Sequence, residues 1–437
     1  MADHVALISL GCAKNLIDSE VMLGVLKRAG FRFSARPEDA EVIVINTCGF
    51  IAPAREEAEA ALRKAVRLKR RDPRKRIVAA GCYVARDRSD LEARFPEVDV
   101  WTGVGAFDRI DRLVAGRTVR EPGRTFLYSE ASPRIVTTEG AWAYVKVSEG
   151  CSRRCGFCAI PLIKGPAVSR SMASVVREAG RLAELGIKEI DLVSHDTTAF
   201  GRDRGLRHGL AKLLERLVRI DGLEWIRFLY GYPDGLSEPL LRTMAHPKIC
   251  RYLDLPFQHA DPGIVGAMKR GMDGTRALRL LEKVRRRLPG VAVRTSLIVG
   301  FPGEDRRAFR SLLRFVREAR FEHLGVFCYS PEPGTASFRL PDTVPPAEKE
   351  ARRREILEAQ APVSLAANRS HVGRVVEVLV EKAGRTRLVG RTRFQAPEVD
   401  GVVRVSVPRR AGPCVRPIVR AEILSAGAYD LKGRMVP

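Results

Sequence analysis

The sequence predicts an α/β fold with an N-terminal parallel-sheet α/β domain, a central (β/α)6 partial TIM barrel and a small C-terminal β-barrel. Three observations predict it. Strand-length apolar runs alternate with helical segments through most of the 437 residues. Six strand–helix units follow one another in the middle of the chain. From about Arg369 the runs become short and valine-rich, broken by Gly and Pro.

In order, His4–Leu10 reads as a buried strand. Leu16–Ala29 has helical periodicity and ends at Gly30, with Asn15 as its expected N-cap. Glu41–Ile45 and Arg76–Ala80 are the next strands, separated by a charged helix from about Pro53 to Arg71. Glu121–Gly140, with its Pro and Gly, reads as a linker or crossover. The barrel strands are expected at Ala143–Val147, Glu189–Ser194, Trp225–Tyr230, Arg251–Pro256, Ala292–Val299 and His323–Tyr329. Helices are expected at Ser174–Leu185, Thr275–Arg287 and Asp305–Ala319, and a charged helix near Ala347–Ala367 precedes the β-rich end. The expected divisions are 1–120, a linker 121–136, 137–368 and 369–437.

Net charge is +24, from 76 Lys and Arg against 52 Asp and Glu. Such an excess favours a polyanionic partner or a nucleoprotein, and a genome that uses Arg codons freely explains it equally well. No window approaches the roughly 18–20 apolar residues of a membrane span. The N-terminus has no basic flank before its apolar run. A cytoplasmic location is expected, with no membrane partner. In that reducing compartment clustered cysteines are metal ligands or catalysts more often than disulfides. There is no Walker loop, no Ser–His–Asp candidate in motif context and no short-period repeat.

The sharpest local signal is Glu149–Cys158, E-G-C-S-R-R-C-G-F-C, directly after the first barrel strand. Cys151, Cys155 and Cys158, spaced Cys-x3-Cys-x2-Cys, place three thiolates on one short loop. Each can hold one iron of a four-iron cluster, leaving the fourth iron open to a chelating ligand. A structural zinc site is the bland reading; it needs a fourth ligand, and no Cys or His follows at ordinary spacing. A second set is Cys12, Cys48 and Cys82, in S-L-G-C-A-K-N, I-N-T-C-G-F-I and A-A-G-C-Y-V. Each lies just beyond one of the first three strands, and the ends of parallel strands share one crevice. Singly, each is a small buried residue. Three in equivalent positions favour a second cluster.

The Cys151–Cys158 loop, with Phe157 before the last cysteine, resembles the signature of the radical S-adenosylmethionine superfamily. With the N-terminal three-cysteine region and a TRAM-like C-terminal barrel, the whole chain resembles the methylthiotransferases. Within them it is similar to the RimO type, through Ser9–Glu20, Asn46–Ile51, Cys158–Gly165, His195–Gly201, Tyr252–Ala260 and Ala396–Gly401. Ala13 departs where Pro is common and His195 where Gln is frequent. The resemblance implies two [4Fe-4S] clusters and S-adenosyl-L-methionine. One cluster generates a 5′-deoxyadenosyl radical and the other holds or donates sulfur. It also implies an external electron donor. The implied reaction is methylthiolation of the β-carbon of an aspartate in the twelfth small-subunit ribosomal protein, free or in its ribosomal subunit. Two alternatives stay open: methylthiolation of an adenosine in tRNA (the MiaB type), and a non-catalytic iron–sulfur RNA-binding protein.

Other residues are weighed against structural roles. Asp196, Thr197 and Thr198 follow the second barrel strand and are expected to bind the cofactor or to cap a helix. Gly300 and Gly303, in V-G-F-P-G-E, allow close backbone approach to the cofactor, though a strand–helix turn needs such residues anyway. Gln258 and His259 are placed near the cavity, with His259 more often structural. Cys250, Cys328 and Cys414 have no partner at ligand spacing. Between Arg369 and Pro437 there are 14 basic and 6 acidic residues, a surplus of 8, which makes RNA contact through this basic surface electrostatically reasonable. Glu398 and Asp400 are expected at its surface, suited to a basic protein partner.

Overall fold

The computed structural model describes residues 3–119, 123, 125–408 and 416–436. Cys414 lies outside the described residues. The N-terminal sheet is parallel, in the order Arg32–Phe33, His4–Ser9, Val42–Thr47, Arg76–Gly81, Val100–Thr102. Val42–Thr47 is buried along its whole length, as a central strand covered on both faces must be. The helix Ala52–Arg71 lays Ala58, Leu62, Ala65 and Val66 on the sheet and turns its charges to solvent. The edge strands Arg32–Phe33 and Val100–Thr102 are too short to show a period, and the sequence reading missed them.

The helix Ala13–Arg28 starts earlier than expected, with Cys12 at its cap position. Asn15 is therefore not the N-cap but lies within the first turn, where its amide is taken up by other carbonyls. This helix also buries Lys14, Asp18, Ser19 and Glu20. So many buried polar groups mark a face that meets another polar surface rather than a greasy core.

That surface is the central barrel. Its strands are Trp142–Lys146, Glu189–Val193, Trp225–Phe228, Tyr252–Asp254, Ala292–Val299 and His323–Cys328. They form two parallel three-stranded sheets joined by a parallel bridge between Ile226 and Ile249, which gives an open six-stranded arc. The helices Met172–Glu184, Gly209–Leu217, Gly274–Arg287 and Arg306–Ala319 pack outside it through one apolar core. Residues 125–141, before the barrel, form no helix or strand but are pinned. Tyr128 is buried with its hydroxyl on Glu178, and Arg134 bridges Glu20 (2.6 Å) and Glu178 (2.7 Å).

After the helix Pro346–Arg369 comes a closed five-stranded barrel. Its order is Val375–Ala383, Arg387–Arg391, Val403–Ser406, Leu431–Val436, Ile418–Ala426. Its loop 391–400 enters the central barrel at the N-terminal ends of the strands. Arg391 reaches Glu189 at 2.5 Å, and Arg227 Nη1 donates to Arg393 O. Asp400 is not a surface group: its side chain is 2% exposed, accepts from Tyr252 Oη at 2.6 Å, and lies 3.5 Å from both Arg294 and His323. Glu398 accepts from Tyr144 Oη at 2.9 Å. The expectation that Asp400 faces a basic partner is overturned, whereas Glu398 stays exposed. Asp400 and the loop that carries it close the bottom of the barrel, which leaves the opposite strand ends for chemistry. Among the described residues no helix is long and apolar enough to cross a membrane.

Candidate active site

The three N-terminal cysteines leave the C-terminal ends of adjacent strands. Cys12 follows the first through a glycine turn, Cys48 follows Thr47 directly, and Cys82 opens the helix Cys82–Arg94 after Gly81. Gly11 has φ +94°, and a Cβ there would lie 2.7 Å from Cys48 Cβ and 2.9 Å from its Sγ, so only glycine lets this turn close on Cys48. Asn15 ties the three turns together. Its Nδ2 donates to Leu10 O and Thr47 O, each at 3.1 Å, and its Oδ1 accepts from Cys82 Sγ at 3.4 Å. Burial pushes the Cys82 thiol up to about 12 and raises Cys48 too, with neighbouring thiols of the set adding to both. Thiols in so dry a place become thiolates together only when a cation joins them, which is what metal binding supplies.

The second set sits on the loop after the first barrel strand. Gly150 (φ +73°) lets the loop turn within 2.2 Å of Pro166 O, measured from where a Cβ would stand. Cys151 N donates to Gly165 O at 3.0 Å, and Gly156 N donates to Met268 O at 2.9 Å. Two donors point at the sulfurs: Arg153 N–H to Cys151 Sγ (3.4 Å) and Arg270 Nη1 to Cys155 Sγ (3.5 Å). The Tyr232 ring lies between the guanidiniums of Arg153 (3.7 Å) and Arg270 (4.0 Å). Burial pushes Cys158 up to about 12. Among the described residues no group of three or more His, Cys, Asp or Glu is arranged to hold a single metal ion. Three thiols on one loop, Cys151 buried and Cys155 and Cys158 partly so, with N–H donors aimed at sulfur, fit a cluster whose irons take one thiolate each.

A buried ionic patch adjoins both sets: Lys14 and Lys164 lie near Cys12 and Cys82, and Glu149 stands two residues before Cys151. Lys146 Nζ is 2.5 Å from Asp18 and 2.6 Å from Glu149; Lys164 Nζ is 3.4 Å from Asp18 and 3.7 Å from Glu149. Burial works against the Glu149 charge, but Lys146 and Lys164 outweigh it and hold the carboxyl below its usual range. Lys14 Nζ sits 3.3 Å over the Tyr230 ring. His195 Nδ1 is 3.8 Å from Glu149 Oε1 and makes no hydrogen bond. Burial and then the three lysines push this imidazole down to about 3, so it is neutral.

The remaining expected residues fall into place as follows. Asp196 caps the turn at Ala199 N, accepts from Thr198 Oγ1 at 2.6 Å and holds Arg153 Nε at 2.7 Å. Thr197 Oγ1 donates to Leu229 O. Gly300 N–H is held by Glu304 (2.7 Å), and a Cβ there would strike Lys349 Cγ at 2.2 Å, whereas Gly303 has open space beside it. His259 is buried, 3.6 Å from Glu304, and Gln258 is a positive-φ residue of the strand-end turn. Cys250 is buried and Cys328 faces Glu350 at 3.7 Å, both away from the two sets. The sequence reading missed the hub role of Asn15, the Arg153–Tyr232–Arg270 clamp and the lysine patch. Their only local signals were K-N after Cys12 and R-R inside the cluster loop.

Three family models match the chain: the uncharacterized protein family UPF0004 over 4–103, the radical SAM superfamily over 145–316 and the TRAM domain over 372–436. A Solibacter usitatus protein named ribosomal protein uS12 methylthiotransferase RimO is 42% identical, covering 99% of this chain and 94% of its own. Relatives of the same name from Anaeromyxobacter sp. strain K (43%; 100% and 94%) and strain Fw109-5 (44%; 99% and 93%) agree. Among solved structures, the radical S-adenosylmethionine methyltransferase TsrM from Kitasatospora setae superposes with TM-score 0.57 at 18% identity over 77% of each chain. The cobalamin-dependent radical enzyme OxsB gives 0.51 at 10% identity, over 82% of this chain and 56% of its own. These two support the fold alone. The superfamily match implies a [4Fe-4S] cluster and S-adenosylmethionine.

Proposed function

The chain belongs to the RimO family of radical SAM methylthiotransferases, and from that membership we propose that it methylthiolates the β-carbon of an aspartate in ribosomal protein uS12. The observation that carries the proposal is the pair of three-thiol sets, each at strand ends and each bordering the same buried patch. Cys151, Cys155 and Cys158 hold one [4Fe-4S] cluster, and Cys12, Cys48 and Cys82 hold a second. When bound, the first supplies the electron that cleaves S-adenosylmethionine and the second presents sulfur. A radical route is required because an unactivated carbon has no usable acidity, so acid–base groups alone will not serve.

The chain's own residues bind and orient. Arg270 and the Arg153 N–H stabilise sulfur charge, and the Tyr232 clamp fixes the loop. The strand ends carrying Asp196, Thr197, Thr198, Gly300 and Gly303 would hold the cofactor. There Gly303 offers backbone approach, and Asp196 acts through Arg153. The functional units are 1–120, the segment 121–136, 137–368 and 369–437. The enzyme works in the cytoplasm, on uS12 or the subunit carrying it, with an external electron donor and RNA contact through the basic C-terminal barrel. The test is mass spectrometry of uS12 from cells with and without this gene. The expected result is loss, in the deletion strain, of one methylthio group's added mass on an aspartate. An unchanged uS12 overturns the proposal and turns attention to tRNA nucleosides.

A further inference from the structure

The buried patch beside the cysteine sets holds three lysines, Lys14, Lys146 and Lys164, and two carboxylates, Asp18 and Glu149. Lys146 and Lys164 are each engaged by both carboxylates. Lys14 is 5% exposed and has no carboxylate within ion-pair distance among the described residues; its ammonium lies over the Tyr230 ring and near the Cys12 thiol. Beside it, the buried Nδ1 of His195 lacks a hydrogen-bond partner. A buried ammonium without a carboxylate partner and an unsatisfied polar nitrogen in one place are costly unless a ligand completes them. The patch is reached from outside, since Gly11, Cys12 and Tyr230 are not buried.

We propose that Lys14, backed by Lys146 and Lys164, is the binding site for the carboxylate of the substrate aspartate, so that this side chain enters between the two cysteine sets with its charge matched. The inference rests on the function proposed above and adds its specificity determinant. A carboxylate pairs with the Lys14 charge and accepts from its ammonium, which is the strong class of hydrogen bond. An amide of the same shape accepts but does not neutralise. The α-carboxylate of S-adenosylmethionine has the same chemistry, and the test separates the two sources.

Binding is measured by anaerobic titration of the holoenzyme with unmodified uS12, with uS12 whose modified aspartate is replaced by Asn, and with S-adenosylmethionine. Wild type is expected to bind the Asp form about tenfold or more tightly than the Asn form. Lys14→Met is expected to bind both forms alike, at the wild-type affinity for the Asn form and with S-adenosylmethionine affinity retained. Lys14→Arg restores part of the discrimination. A wild type that binds both forms equally overturns the site without any variant. So does a Lys14→Met enzyme that keeps the discrimination, or one whose loss falls on S-adenosylmethionine. Failure of the parent reading looks different: uS12 then gains no methylthio mass with the wild-type enzyme, whatever the affinities.

Discussion

At the scale of residues, the site depends on contacts made by a few polar side chains. Asn15 satisfies two carbonyls and a thiol that belong to three different turns. Asn15→Ala leaves those groups unpaired in a buried place, at a cost of about 1–3 kcal/mol. A lower denaturation midpoint together with less iron retained per chain checks this; an unchanged midpoint and full iron loading contradict it. The cysteines themselves were legible, because Cys-x3-Cys-x2-Cys is a local pattern. The role of Asn15 was not legible, because a cap and a buried hub look the same until Thr47, far along the chain, is placed beside it. The same holds for Lys14. A lysine two residues from a cysteine says nothing of burial until Tyr230 closes over it.

At the scale of elements, the loop 391–400 decides how the C-terminal barrel attaches. Arg391 is buried against Glu189, Asp191 and Glu381, and Arg227 completes the group. Arg391→Met strands acidic groups in the barrel interior and is expected to cost about 3–5 kcal/mol, read from chemical denaturation. A loss below 1 kcal/mol, the scale of a surface pair, contradicts the plug. A second prediction concerns pH. The His371 ring stacks on Phe394 at 4.0 Å, and burial, then Arg374, holds its pKa below the ordinary value of about 6.5. The folded state therefore binds fewer protons than the unfolded one. The stability this confers is present above about pH 6.5 and is lost as pH falls through the lowered value. His371→Phe flattens the thermal midpoint over that window; an unchanged slope contradicts it. The strands of this barrel could be read from their valine-rich runs. The plug could not, since Ala396–Gly401 has the composition of a solvated loop and its partners lie on strands of another unit.

At the scale of the whole molecule, the parts are stitched by buried charge as well as by apolar surface. Arg134 joins Glu20 to Glu178, Lys146 joins Asp18 to Glu149, and Glu332 receives Arg55 and Arg86. One core cluster runs from Val5 and Ile17 through Trp142 and Tyr252 to Leu379. Calorimetry is expected to show the N-terminal sheet and the central barrel unfolding in one transition; two separated transitions contradict this stitching. The alternation of strand and helix made the architecture legible, but the net charge of +24 did not reveal where the basic groups act. Some of that charge lies inside, as the Lys14, Lys146 and Lys164 patch. The central claim is that two three-thiol sets each hold a four-iron cluster across this patch. The direct measurement is iron and acid-labile sulfide in the anaerobically reconstituted chain, beside variants with Cys→Ala at Cys12, Cys48 and Cys82 or at Cys151, Cys155 and Cys158. The account predicts two clusters' worth in the parent chain and one in each variant. A parent holding one cluster's worth, with no loss on removing Cys12, Cys48 and Cys82, would contradict it.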